Sequence, residues 1–276
     1  MKLHPLFLPT ALLALSLGSG TCGATEFLST KPAARIDYWQ QRQAEITAEL
    51  KERQDLPAVR LVFLGDSITD FWHLGPNPWF PTLRCGRSVW DESFAGRPPE
   101  NLALNLGLSG DRMEHVLFRL LPQSAGGLGH LDAPGLHPEF VVLMIGINNT
   151  WAAETPVAAS VFAGIKAVLT AVHARQPKST VILQSLLPTN DETKNRDVVR
   201  PVNGQLAELV ASQPFAAYTR YLDLYASFVD ASGHQLSQHF NDGLHPSESG
   251  YRVWRDQLVP FLITMRATAG AKPETR

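Results

Sequence analysis

The chain has 276 residues, 44% of them hydrophobic, and carries 24 Lys and Arg against 26 Asp and Glu, for a formal net charge of −2. That balance belongs to an ordinary folded protein rather than a disordered or fibrous one. It also speaks against nucleic acid as a partner, because a phosphate-backbone binder needs a basic patch and no Lys/Arg run occurs here.

At the start of the chain, Lys2 precedes a mostly apolar stretch at residues 6–17 and then the small-residue run GSGTCGA. This pattern predicts a secretory signal peptide over residues 1–24, cleaved after Ala24, and hence an exported protein, periplasmic or extracellular. The apolar stretch is too short for a permanent transmembrane helix, so no integral membrane span is expected. Lipoprotein anchoring through Cys22 is the alternative, and Ser19-Gly20-Thr21 is a poor approach to an acylated cysteine. Loss of the leader leaves Cys85 as the single cysteine, so no intramolecular disulfide is expected. Cys85 lies in a Gly/Arg/Pro-rich loop and reads as structural. Residues 25–276 are expected to form one domain, long enough to bury a core without a covalent staple.

Helical composition with one apolar stripe runs over residues 36–50. Five short runs rich in Val, Ile and Leu follow, at 59–64, 102–106, 140–145, 180–187 and 221–224. Helical spacing marks 112–121, 157–174, 198–212 and 248–265. Strands apolar on both faces that alternate with helices predict a three-layer α/β/α sandwich around a central five-stranded parallel sheet. The loops 72–100 and 121–139 are longer than usual connections, which marks them as functional rims or mobile segments.

In an open parallel sheet, ligands bind beyond the carboxyl ends of the strands. The first predicted strand ends at Gly65-Asp66-Ser67, the second runs into NLGLSGD (105–111) and the third into GINN (146–149). Serine attacks a carbonyl only when a base takes its proton, and histidine is the usual base near neutrality. The segment DGLHP (242–246) supplies Asp242 and His245, spaced so that the carboxylate can reach the imidazole of its own turn. The developing oxyanion needs donors, and the backbone amides of Ser67 and Gly110 and the carboxamide of Asn148 are the candidates.

GDSIT at 65–69, NLGLSGD at 105–111, GINN at 146–149 and DGLHP at 242–246 resemble, in order, the four signature blocks of the SGNH hydrolase superfamily, the GDSL esterases. The resemblance implies the flavodoxin-like fold of that superfamily. It makes Ser67 the nucleophile, Asp242 and His245 the other triad members, and Ser67, Gly110 and Asn148 the oxyanion hole, with Gly110 favoured over Gly107. NLGLSGDRMEHVLFRL, VVLMIGINNT and HPSESGYRVW resemble the branch of platelet-activating-factor acetylhydrolase alpha subunits and bacterial carbohydrate O-acetylesterases. That branch implies removal of short acyl groups, acetyl above all, from a small-molecule or glycan ester. No cofactor is implied. The alternatives are a lipolytic esterase, lysophospholipase or thioesterase acting on longer chains and, in another class, an inactive carbohydrate-binding protein.

Other residues take plainer readings. Asp66 is expected to hold the turn after the first strand. His73, His115, His130, His137, His173 and His234 show no metal-ligand spacing, and no metal is expected. Gly107 reads as a tight-turn glycine. Trp72 or Trp79 is expected to line the cleft, with Trp151 and His239 as further substrate-binding candidates and Trp90 as the most core-like indole. The sequence carries no signal for oligomeric state.

Overall fold

The structure is a computed structural model that describes residues 26–35, 39–152 and 154–270. The expected signal peptide and Cys22 lie outside the described residues. Five parallel strands form the centre: β1 (Leu61–Gly65), β2 (Ala103–Gly107), β3 (Phe140–Met144), β4 (Thr180–Gln184) and β5 (Thr219–Leu222), in the order β2-β1-β3-β4-β5. This is the flavodoxin-like order, in which the direction of winding reverses beside β1 and opens a crevice at the carboxyl ends of β1 and β3. β1, β2 and β3 are buried along their whole length, as strands covered on both faces must be.

The helices are α1 (Trp39–Glu52), α2 (Ser67–Asp70), α3 (Arg87–Ser93), α4 (Met113–Leu120), α5 (Val157–Arg175), the single turn α6 (Glu192–Lys194), α7 (Arg200–Ala211) and α8 (Glu248–Gly270). The crossovers from β2 to β5 all run the same way, so α4, α5 and α7 pack in succession on one face, while α3 and α8 pack together on the other. α5 is long and apolar enough to cross a membrane by composition alone. Here its Val161, Ile165, Val168, Leu169 and Val172 are buried in the core.

Between β1 and the α3/α8 layer lies an aromatic cluster. Phe63 from β1 meets Trp90 and Phe94 at 5.1 and 5.0 Å, and Trp72 meets Tyr251 and Trp254 of α8 at 4.5 and 5.2 Å. Trp72 is 0% exposed. The expectation that it lines a cleft is therefore overturned: the indole is one of the largest side chains in the core, where truncation to Ala would cost about 3–5 kcal/mol. Trp90, expected to be the most core-like, is only partly buried and packs on the edge of the same cluster.

Candidate active site

The crevice is built at three strand ends and one late loop. β1 stops at Gly65, and Asp66 begins the next helix by accepting the Ile68 amide on Oδ1 at 3.0 Å. That N-cap satisfies a helix-end donor and starts α2 at Ser67, at the edge of the sheet. The Asp66 carboxyl group thus holds the turn, as its position in the sequence suggested. Tyr251 of α8 braces the same turn from behind, its hydroxyl donating to the Ile68 carbonyl at 2.8 Å.

Ser67 Oγ lies 2.9 Å from His245 Nε2, and His245 Nδ1 lies 2.7 Å from Asp242 Oδ2. Asp242 Oδ1 accepts the backbone amides of Leu244 and His245 at 3.0 and 2.8 Å. The turn is therefore closed by the same carboxylate that orients the imidazole. Burial alone would raise the Asp242 carboxyl, but hydrogen bonds from the His245 ring and from the amides of His245 and Leu244 outweigh it and hold the group below its ordinary value. With a carboxylate on Nδ1, the proton of a neutral imidazole sits there and Nε2 is left to accept from the serine hydroxyl. Phe71 stacks on the His245 ring at 4.9 Å, and Trp79, 57% exposed, meets it at 5.1 Å.

The second strand end is tied to the nucleophile's helix. Asp70, at the other end of α2 from Ser67, accepts both the amide and the hydroxyl of Ser109 on Oδ2, at 3.1 and 2.6 Å. Gly110 follows with φ +77°, a left-handed conformation that glycine adopts without a steric penalty. Asp111 is fully buried, with the guanidinium of Arg119 at 2.8 Å and that of Arg35 at 3.2 Å. Its backbone carbonyl accepts from Asn148 Nδ2 at 2.8 Å. A carboxamide has two N–H groups, so this bond fixes the Asn148 side chain and leaves the second donor for a ligand. Asn149, not Asn148, serves the start of α4, accepting from the Met113 amide at 3.0 Å and donating to Glu114 at 2.8 Å.

The structure thus brings together Ser67, His245 and Asp242, and ties the loop of Asn148 to Asp111, the residue after Gly110. Trp79 lies beside the imidazole. Trp151, 58% exposed, ends the turn that carries Asn148, with Lys194 Nζ 3.4 Å from its ring centroid. His239 is turned to Ser249 at 3.2 Å and to the edge of Phe228. Sequence reasoning missed Asp70, Phe71 and Arg119. Arg119 is fully buried and donates to the carbonyls of Leu106 and Gly65 at 2.8 and 3.3 Å, gathering the ends of β1 and β2. Its signal was a basic residue within the apolar stripe of α4. Cys85 is buried, and burial, with the Asp242 charge nearby, pushes its thiol up to about 11, which leaves it unreactive near neutrality. Among the described residues no three His, Cys, Asp or Glu side chains are grouped to hold a metal ion.

A doubly wound sheet with a serine, a histidine and an aspartate in successive hydrogen-bond contact at its carboxyl-end crevice is the arrangement of a hydrolase. A model of the GDSL-like lipase/acylhydrolase family matches residues 63–253, and the chain belongs to that family, within the SGNH hydrolase superfamily. It is similar to platelet-activating factor acetylhydrolase IB subunit alpha1 of Rattus norvegicus, 31% identical over 243 residues, 86% of this chain and 89% of that protein. In fold it resembles a GDSL-like lipase from Bacteroides thetaiotaomicron, with a TM-score of 0.57 and 19% identity over 83% of this chain and 98% of the other. It also resembles a carbohydrate esterase family 3 protein from Talaromyces cellulolyticus, with a TM-score of 0.51 and 21% identity over 75% and 97%.

Proposed function

We propose that this protein is an exported serine esterase that removes short acyl groups, acetyl first, from a hydroxylated alcohol such as a carbohydrate. The observation that carries the proposal is the unbroken chain of contacts from Ser67 Oγ through His245 to Asp242, at 2.9 and 2.7 Å. The acyl half of the reading draws support from the name of the mammalian relatives, acetylhydrolases. The alcohol half draws support from the fungal neighbour, a carbohydrate esterase. Export rests on the leader pattern of residues 1–24.

The chemistry follows from the positions. Ser67 Oγ attacks the ester carbonyl carbon as His245 Nε2 takes its proton, and Asp242 stabilises the imidazolium. The carbonyl oxygen becomes an oxyanion that the amides of Ser67 and Gly110 and the second N–H of Asn148 receive. Loss of one such donor typically costs about 10²–10³ in rate. Collapse breaks the bond to the alcohol oxygen, which leaves with the proton from His245. Water, deprotonated by the same nitrogen, then attacks the acyl-Ser67 carbonyl; the bond to Ser67 Oγ breaks, Oγ takes the proton back from His245, and the acid is freed.

The test is kcat/KM on p-nitrophenyl acetate and p-nitrophenyl octanoate. The expected result is a strong preference for acetate, and a loss of at least about 10⁴-fold in Ser67→Ala with its melting curve unchanged. Preference for octanoate overturns the short-acyl reading. Activity retained in Ser67→Ala overturns the nucleophile.

A further inference from the structure

One proton transfer fixes which side of the site the alcohol occupies. His245 Nε2 must hand its proton to the departing oxygen, so the alcohol half of the ester lies on the imidazole's side of Ser67. On that side stands a corner of three rings: Phe71 and Trp79 meet His245 at 4.9 and 5.1 Å and each other at 5.5 Å. Both aromatic rings go on to line a cavity of about 490 Å³, whose other lining includes Gln41, Arg42 and Glu45 from α1 and Asp70 from α2.

Trp79 is held out in water by a built loop. Asn77 Oδ1 accepts the amides of Trp79 and Phe80 at 2.9 and 3.0 Å, the Asn77 amide donates to the Leu83 carbonyl at 2.9 Å, and Pro76 pairs with Arg84 as an antiparallel bridge. A large apolar surface fixed at the mouth of a site is a surface for a ligand. The polar lining sets one cation against two carboxylates and so is acidic on balance: Arg42 Nε lies 3.0 Å from Asp70 Oδ1, and Arg42 Nη1 lies 3.5 Å from Glu45 Oε2. An anionic ligand would have to break one of these pairs, whereas a neutral one need not. The carboxylate of Glu45 also takes Gln41 Nε2 at 3.3 Å and keeps lone pairs for further donors. An apolar ring surface next to a rim of hydrogen-bond acceptors suits a sugar ring, which has a C–H face and a hydroxyl edge.

We infer that this cavity is the subsite for the alcohol half of the ester and takes a neutral hydroxylated ring, stacked on Trp79 with its hydroxyls toward Gln41 and Glu45. The inference rests on the short-acyl esterase reading and adds where the alcohol sits and what it is.

The experiment compares kcat/KM on ethyl acetate, ethyl hexanoate and a mono-O-acetyl methyl xyloside for wild type, Trp79→Ala, Trp79→Phe and Glu45→Gln. Each result is a ratio within one preparation, so any loss of folded protein cancels. The expected result is a xyloside-to-ethyl-acetate ratio that falls about tenfold in Trp79→Ala, is partly restored in Trp79→Phe, and falls about threefold in Glu45→Gln. A hexanoate-to-acetate ratio that moves in Trp79→Ala while the xyloside ratio stands still overturns the inference, because the cavity is then the acyl subsite. Wild type that cleaves ethyl acetate and ignores the xyloside overturns the sugar ring and leaves the esterase reading standing. Wild type that cleaves ethyl hexanoate and neither acetate sinks the short-acyl reading itself, and the sugar ring with it.

Discussion

Asp242 divides its two oxygens between two tasks, one for the amides of its own turn and one for the imidazole. Asp242→Asn can still accept the turn amides, but it cannot hold the His245 tautomer that leaves Nε2 free to accept. The expected outcome is a fall of about 10³–10⁴ in kcat with little change in KM, and an equally slowed labelling of Ser67 by an organophosphonate. Because hydrogen bonding holds the folded carboxyl below its unfolded value of 3.8, the stability it contributes is present above that value. It is lost as pH falls through the lowered one. That Ser67, His245 and Asp242 come into contact was legible in the sequence because each sits in a short motif at a strand end or turn. Trp72 misled for a local reason: Phe71–His73 is a 3-10 turn, in which consecutive residues point about 120° apart. Phe71 stacks on the imidazole and Trp72 enters the core.

At the scale of elements, α2 ties Ser67 to the loop after β2. It carries Ser67 at one end and, at the other, Asp70, which grips Ser109 just before Gly110. Gly107 lies beneath it. A Cβ there would stand 2.6 Å from the Thr69 carbonyl carbon and 2.7 Å from Asp70 Cα, so glycine is required for close approach, and not for the positive φ that a tight turn would need. Gly107→Ala should displace α2 and lower kcat/KM about 100-fold, while Ser109→Ala should lower kcat about tenfold with KM within about twofold. Steady-state kinetics beside a circular-dichroism melt separates these effects from loss of fold. None of this was readable beforehand, since a four-residue helix is too short to leave a periodic signal. The sheet was readable, apart from details at its weak edge. β5 is half-exposed and lies two residues earlier than its apolar run suggested. β4 ends at Gln184, because Leu186 and Leu187 are buried without joining the ladder.

For the molecule as a whole, the fully buried carboxyl of Asp66 is one of the groups at odds with its surroundings. Burial raises it to about 7, against the opposing hydrogen bond from the Ile68 amide. The folded protein keeps a proton there that the unfolded chain releases near 3.8. The stability from this group is therefore fully present below the unfolded value and is lost as pH rises to about 7. Asp66→Asn keeps an oxygen for the Ile68 amide and removes the ionisation. Its melting temperature relative to wild type should climb between about pH 4 and pH 7 and level off above, and a difference that stays constant over that range would show that the site does not ionise on this scale.

Ser67 and His245 are 178 residues apart, and among the described residues the loop that carries His245 is followed by α8, whose Tyr251 braces the turn of Ser67. Synthesis therefore delivers the serine early and the imidazole late. A nascent chain that stops short of residue 245 can hold a complete GDSIT motif and still lack the base that the proposed reaction needs.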